Sequence, residues 1–272
     1  MLALRAASYR YPGTGRPQLR DVELAVEPGR VLGVCGANDA GKSTLCLVLS
    51  GLAPRLVGGE LSGRLEIDDA DAAPLAMHEL VERVGIVFQN PRTQLSGVTA
   101  TVFEEVAFGG ANLAVPRGDL VRRVRQTLDR LRIGDLAARE PRTLSGGQMQ
   151  LVAIAGVLAL GARYVVLDEP TAQLDPAGTA LVADALRELT TEGVGVVLAE
   201  HKTELLEALC DRVVVLDDGA VVMSGSARDV LADATIADLG VAPPARVSIE
   251  ARLAAAGVPL TGRIAAALAP TR

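Results

Sequence analysis

The chain carries two kinds of apolar stretch. Short, nearly continuous runs of aliphatic residues occur at Arg30-Val31-Leu32-Gly33-Val34-Cys35, Val84 to Phe88, Tyr164 to Leu167, Val194 to Leu198 and Val213 to Leu216. Bounded by turn residues, such runs predict strands buried on both faces. Between them, Ser43 to Leu49, Thr101 to Phe108, Gly118 to Leu131, the run opening at Thr143, and Pro176 to Thr191 place apolar residues at helical spacing. In Gly118 to Leu131 the stripe is Leu120, Val121, Val124, Leu128 and Leu131, and the arginines between are expected to form a solvated face.

The N-terminal segment has a different rhythm. Leu2 to Val26 reads as short strands around a turn at Pro12-Gly13-Thr14-Gly15, with period-two alternation in Val22 to Val26. Glu27-Pro28-Gly29 is a turn into the first buried strand. Gly51 to Gly63 is turn-rich, Arg64 to Ile67 alternates as a strand, and Asp68 to Pro74 is expected to be a solvated acidic loop. Asp217-Asp218-Gly219 leads into a last short strand, Ala220 to Met223.

Strands alternating with helices predict an α/β fold: a mainly parallel sheet covered on both faces, with an antiparallel β side sheet from the N-terminal strands. Ala242-Pro243-Pro244 breaks the pattern, and Val247 to Leu268 reads as one or two alanine-rich amphipathic helices. The expected division is 1–240 for the main domain and 241–272 for a small C-terminal helical appendage.

The most informative local pattern lies between the first buried strand and the first helix. Gly36-Ala37-Asn38-Asp39-Ala40-Gly41-Lys42-Ser43-Thr44 fits G-x-x-x-x-G-K-[ST] in a strand–loop–helix context. Such a turn aims several backbone N–H groups at one point, and the helix dipole adds positive potential there, so phosphate binds. Lys42 is placed to reach the β- and γ-phosphates, and the Ser43 hydroxyl to ligate Mg²⁺. A nucleotide phosphate site is predicted here.

Composition narrows the partners. Of 272 residues 49% are hydrophobic, which supplies a sizeable core, and with so few aromatics Ala, Val and Leu must fill it. A net charge of −6 argues against broad nucleic-acid binding. Cys35, Cys46 and Cys210 show no C-x-x-C spacing and read as buried reduced thiols. The N-terminus lacks a signal-peptide pattern. The longest apolar stretch, Leu151 to Ala162, is a dozen residues, against about twenty for a membrane-spanning helix. The chain is therefore expected not to cross a membrane by itself, while remaining able to sit against one.

Further candidates fall at strand ends, where open α/β sheets place ligands. Asp168 suits a Mg²⁺-facing carboxylate, and Glu169 a group that polarises a water attacking the γ-phosphate. Ser145-Gly146-Gly147 opens a long helix, either as a second anion nest or as an ordinary turn with Ser145 as N-cap. His201 follows a buried strand, as a γ-phosphate contact would, and Gln89 ends another.

Taken in order, Gly36 to Thr44, Gln89, Leu144-Ser145-Gly146-Gly147-Gln148, Val165 to Pro170, Leu174-Asp175 and His201 resemble the nucleotide-binding subunit of an ABC transporter, over about residues 2 to 230. Phe88 to Leu95, Gly51 to Gly63 and Glu104 to Gly109 resemble the energy-coupling-factor importers, the ATPases for vitamins and for cobalt or nickel. The resemblance implies the P-loop NTPase ABC ATPase fold, with a helical subdomain, and ATP and Mg²⁺ as cofactors. It implies that Tyr11 stacks on adenine and that Gly36, Asn38, Gly41, Lys42, Ser43 and Thr44 hold the phosphates and Mg²⁺. Gln89 would touch the metal and the attacking water, Asp168 would serve Mg²⁺, Glu169 catalysis and His201 the γ-phosphate. Ser145, Gly146, Gly147 and Gln148 would clamp the ATP of an opposite subunit, with Asp175 at the contact between subunits.

Three departures from the family pattern stand out. Asp39 replaces the usual Gly, which the backbone tolerates because Asp accepts a left-handed conformation; its charge would have to point away from the phosphates. Arg92-Thr93 replaces two acidic residues common in the importer group, and Glu200-His201-Lys202 replaces the frequent Thr-His-Asp.

The resemblance implies an ATP-hydrolysing motor working as a dimer, identical or paralogous, on the cytoplasmic face of the membrane. An integral membrane transporter component and a substrate-binding membrane component would be its partners. The alternative is a soluble ABC ATPase of DNA repair or of the ribosome. The former carries a long insertion that does not fit between Gln89 and Ser145, and the latter carries two cassettes. The segment Gln89 to Phe108, with Leu95, Val98, Val102, Phe103 and Phe108 beside Arg92, is expected to be a groove for a partner helix or else a core contact.

Overall fold

A computed structural model describes residues 1–259 and Thr261. Strands β1 (Leu2–Arg10) and β2 (Leu19–Val26) precede β3 (Val31–Gly36), which runs through the glycine loop into α1 (Lys42–Leu49). A helical turn α2 (Leu52–Arg55), strands β4 (Glu60–Ile67) and β5 (Ala70–Asp71), α3 (Met77–Val81) and β6 (Val84–Val87) follow. The helices α4 (Pro91–Gln94), α5 (Val102–Asn112), α6 (Arg117–Arg130) and α7 (Gly146–Ala159) then come without an intervening strand. Alternation resumes with β7 (Tyr164–Asp168), α8 (Pro176–Thr191), β8 (Gly195–Ala199), α9 (Thr203–Leu209), β9 (Arg212–Asp217) and β10 (Ala220–Ser226). Short α10 (Ala227–Ala232) and α11 (Ala245–Ala255) complete the described chain.

The two expected sheets are present. One is antiparallel, β2-β1-β4-β5; the other runs β10-β9-β3-β8-β7-β6, parallel except for the edge strand β10. The central strands look continuous in sequence because both faces are covered. Val165 and Leu167 point into a core shared with α5, α6, α7 and α8, while Tyr164 and Val166 point into a second core shared with α1 and the side sheet. Helix α1 lies between the sheets and buries Lys42, Thr44, Leu45, Cys46, Val48 and Leu49. Helix α7, enclosed by α5, α6, α8 and β6, is buried on nearly every side.

Several local expectations change. Strand β4 begins at Glu60, earlier than its alternation shows, because pairing with β1 carries it outward through Arg10↔Glu60. The acidic loop is a tight hairpin, with Asp68 and Asp69 at φ 53° and 63° and β5 paired back on β4. Asp68 is not simply solvated: it accepts a 2.7 Å bond from the buried Tyr164 hydroxyl and a 2.8 Å bond from Arg163. In α6, Arg122 is on the solvated face as expected, but Arg130 pairs with Glu192 just beyond α8. Helices α3, α9 and α10 are too short to generate a readable period.

All three cysteines are reduced, with Cys35 and Cys46 buried. Burial pushes the Cys35 thiol up to about 12 and that of Cys46 well above its ordinary value, which makes them poor nucleophiles. At the C-terminal end, Val241 still contributes to the main core, the Thr203 hydroxyl donates to Ala242 C=O, and Arg246 bonds Glu207 of α9. The predicted helix over Val247 to Leu268 is present as α11 as far as Ala255; residues 260 and 262–268 lie outside the described residues.

Candidate active site

Parallel strand register places the site. Val87 of β6 pairs with Leu167 of β7, and Asp168 of β7 pairs with Ala199 of β8. Val34 of β3 likewise faces Ala199. The residues just past these ends, Gln89, Glu169, His201 and the loop after Gly36, are thus delivered to one edge of the sheet.

The loop needs its glycines. Gly36 has φ 152°, and a Cβ there would lie 2.3 Å from Leu216 C=O; Gly41, at φ 106°, begins α1 without a side-chain cap. Asp39 sits in the left-handed region at φ 64°, as its residue type permits. Lys42 is 5% exposed and its Nζ donates to Gly36 C=O at 3.1 Å and Ala37 C=O at 2.8 Å. The ammonium therefore sits inside the loop's concavity. Burial lowers its pKa, opposed by the charges of Glu169 and Asp168.

Opposite the loop, Ser43 Oγ donates to Asp168 Oδ1 at 3.1 Å. Burial raises the Asp168 pKa, and the Ser43 bond partly offsets this. A hydroxyl and a carboxylate side by side, next to a phosphate cradle, form an oxygen donor set suited to Mg²⁺. Glu169 is gripped from two sides: Gln89 Nε2 donates to Oε2 at 3.1 Å, and His201 Nε2 lies 2.8 Å from Oε1. Its backbone is left-handed at φ 48°, a conformation costing roughly 1–3 kcal/mol, and its N–H donates to Ala199 C=O at 2.9 Å. A cavity of about 400 Å³ is lined by Asn38, Asp39 and Gly41 to Thr44 of the loop and helix start, with Gln18 and Glu169.

Gln18 carries no motif, and only the fold brings it there, with Nε2 donating to Asp39 C=O at 3.3 Å. Asp39 lines the same cavity, so its charge is close to where phosphate would bind. Tyr11 lies beside the loop: its hydroxyl is 3.1 Å from Thr44 Oγ1, and its ring stands edge-to-face on Tyr9, with centroids 5.0 Å apart.

Ser145 to Gln148 do not join this cluster within the chain. Ser145 caps α7 through a reciprocal box with Gln148, at 3.3 Å and 3.1 Å. Ser145 and Gly146 are exposed and take no part in lining the phosphate cavity. A Cβ at Gly147 would come within 2.7 Å of Gly178 Cα, so the starts of α7 and α8 pack backbone to backbone. Asp175 caps α8 through a 2.7 Å bond from Gly178 N–H, a role the sequence reading did not give it.

The segment after Gln89 divides. Val102 is in the core and Phe103 and Leu95 pack against it, whereas Val98 is 77% and Phe108 39% exposed. Two adjoining hollows of about 280 and 240 Å³ share Leu95 and Glu105; Arg92 and Arg142 line one, and Phe108, Ala153 and Gly156 the other. Glu105 is buried and holds the intervening loop through Ser96 N–H, Ser96 Oγ and Thr99 Oγ1, at 2.6, 2.7 and 2.5 Å.

Fold and loop together define a P-loop nucleotide-binding protein, with the phosphate cradle after the first strand of a parallel sheet. Residues 19–172 match the ABC transporter family. The chain is 42% identical over 250 residues to the cobalt import ATP-binding protein CbiO of Rhodobacter capsulatus, covering 90% of this chain and 85% of that one. It is 37% identical over 258 residues to the energy-coupling factor transporter ATP-binding protein EcfA of Methanosarcina acetivorans, covering 95% and 91%. The solved structure of CbiO1 from Clostridium perfringens, part of the ABC transporter complex CbiONQ, superposes with a TM-score of 0.77 at 31% identity, covering 94% and 96%. The chain belongs to the ABC transporter family, as an ATP-binding, ATP-hydrolysing subunit close to the EcfA and CbiO importer ATPases. These matches favour transport over a soluble repair or ribosomal ATPase. No helix among the described residues is long and apolar enough to cross a membrane.

Proposed function

We propose that the protein powers an energy-coupling-factor importer for a transition-metal ion or a vitamin, from the cytoplasmic face of the membrane, by hydrolysing Mg²⁺-ATP between two subunits. The observation that carries this reading is the double grip on Glu169 by Gln89 and His201, beside the Lys42 cradle and the Ser43–Asp168 pair. In-line phosphoryl transfer needs that constellation: a positioned base, a metal seat and a cationic phosphate cradle.

In this reading the backbone N–H groups of Gly36 to Thr44 cradle the phosphates, with Lys42 turning from its loop carbonyls to the β- and γ-phosphates. Ser43, Asp168 and Gln89 would hold Mg²⁺, which when bound neutralises charge on the β- and γ-oxygens. Glu169 orients a water and accepts its proton as the new P–O bond forms and the bond to the β-phosphate breaks. His201, released from Glu169 Oε1, contacts the γ-phosphate, and Tyr11 offers its ring to adenine. Ser145 and Gly146, exposed and outside their own chain's cavity, complete the site of a second subunit together with Gly147 and Gln148 of the same helix start. The hollows around Leu95 and Gly156 suit a helix of the integral membrane component, with a substrate-binding membrane component completing the assembly.

Sedimentation of Glu169→Gln protein with Mg²⁺-ATP tests the arrangement. A doubled mass that requires nucleotide supports a homodimeric sandwich. Pairing only with a paralogous chain makes the complex heterodimeric, and no association with either overturns the shared site.

A further inference from the structure

The two neighbours of His201 both reach for one residue, Thr171. Glu200 is 1% exposed and Thr171 fully buried; the Thr171 hydroxyl bonds Glu200 Oε1, and Glu200 Oε2 accepts the His201 N–H at 3.0 Å. From the other flank, Lys202 Nζ donates to Thr171 C=O at 2.8 Å and to Thr179 Oγ1 of α8 at 3.2 Å. The Glu200 N–H is itself fixed to Val34 C=O at 3.0 Å. His201 is thus the middle residue of a turn pinned on both sides to the Glu169-Pro170-Thr171 turn. Its Nε2 meets Glu169 Oε1 at 2.8 Å.

A buried carboxylate is an expensive way to cap a turn, since desolvation disfavours its charge. Burial does raise the Glu200 pKa, while the Thr171 hydroxyl, the His201 N–H and the Lys202 charge pull it back. The resemblance leads to Thr-His-Asp at this turn, whereas this chain carries Glu200-His201-Lys202, whose outer two side chains both reach Thr171. Contacts to the hydroxyl and the carbonyl of the same residue restrain translation and rotation together, as holding reacting groups within about half an ångström requires.

We infer that Glu200 and Lys202 are positioning residues, a two-sided clamp on Thr171 that sets the distance between His201 and Glu169. The inference rests on the proposed roles of His201 and Glu169. With only two histidines in the chain, His78 and His201, the imidazole ¹⁵N signals of the full-length protein can be assigned with a single His78→Gln variant. Glu200→Ala and Lys202→Met should move the His201 signals toward those of Glu169→Gln. Each should lower kcat for ATP at least about ten-fold with KM little changed, because misplacement of about 1 Å costs that much or more. Glu200→Gln, which keeps an oxygen for the His201 N–H and a donor for Thr171, should restore both readouts. Combined with His201→Ala, neither loss should add fully, since both act through the same ring.

Unmoved His201 signals in folded Glu200→Ala and Lys202→Met would overturn the clamp, as would fully additive losses or a fall in affinity parallel to kcat. Should Glu200→Ala fail to fold, Lys202→Met decides the question alone. If Glu169→Gln itself leaves the His201 signals and turnover untouched, the site reading fails, and the clamp with it.

Discussion

The Ser43 hydroxyl and the Asp168 carboxylate, 125 residues apart in sequence, meet at 3.1 Å. This joins the first turn of α1 to the end of β7 and creates an oxygen pair that neither element holds alone. Burial keeps the Asp168 pKa above its unfolded value. Between the two pKa values the folded state binds the proton more tightly than the unfolded chain, so stability falls as pH rises from the ordinary carboxylate pKa through the folded one. Asp168→Asn keeps an acceptor for Ser43 without the charge. In metal-free buffer it should melt higher than wild type at neutral pH, by about 2–4 °C for each kcal/mol gained. The advantage should shrink as pH falls towards about 3.9, while Mg²⁺-dependent hydrolysis is lost. Calorimetry at the two pH values checks this; an equal or lower Tm at neutral pH contradicts it.

Glu169 and Lys42 should separate by what they spoil. Glu169→Gln keeps the shape but removes the charge and one of the two acceptor oxygens, so nucleotide affinity should stay near wild type while turnover drops about 10²–10⁴-fold. Lys42→Ala removes charge-assisted bonds worth about 1.5–3 kcal/mol, so affinity should fall roughly 10–100-fold. Titration with a fluorescent nucleotide, alongside steady-state hydrolysis, distinguishes them. Wild-type turnover in Glu169→Gln would remove Glu169 from its assigned role.

The hollow beside α7 offers a test that leaves the nucleotide site alone. A Cβ at Gly156 meets no atom within 4 Å, so a side chain can start there without a clash, and Gly156→Leu directs it at the hollow that Gly156 lines. Arg92→Glu reverses a charge at the rim of the adjoining hollow, where Arg92 is exposed. Both variants should retain ATPase activity as isolated subunits yet lose binding to the membrane component and solute uptake in cells. Equal loss of ATPase and uptake would mean the segment supports the catalytic site; normal uptake in both would move the partner surface elsewhere.

Asp68 gives a prediction about stability. Asp68→Gly respects the positive φ but leaves the buried Tyr164 hydroxyl without its acceptor, at a cost of about 1–3 kcal/mol. Tyr164→Phe alone should cost less, because Asp68 keeps Arg163. The double variant should lose less than the sum. Urea titration of the three proteins measures the coupling, and strict additivity would show that the bond contributes nothing.

Sequence alone determined whatever depends on near neighbours. The loop Gly36 to Thr44 was legible because positive-φ glycines, a buried strand before and a helix after are local demands. Helix α8 was legible from Pro176 to Thr191 because its period is long, and Ser145 was legible as an N-cap because the box closes within one turn. Short α9 and α10 gave too few residues for a period. What tertiary structure decided was adjacency. Nothing in β6, β7 or β8 specifies that they lie side by side, yet that order puts Gln89 and His201 on either side of Glu169. Likewise, no local feature pairs Asp68 with Tyr164 or Glu200 with Thr171. Such contacts join residues whose separation along the chain carries no periodic signal. Their geometry is fixed only when two cores close on opposite faces of one sheet and set its strand order and register.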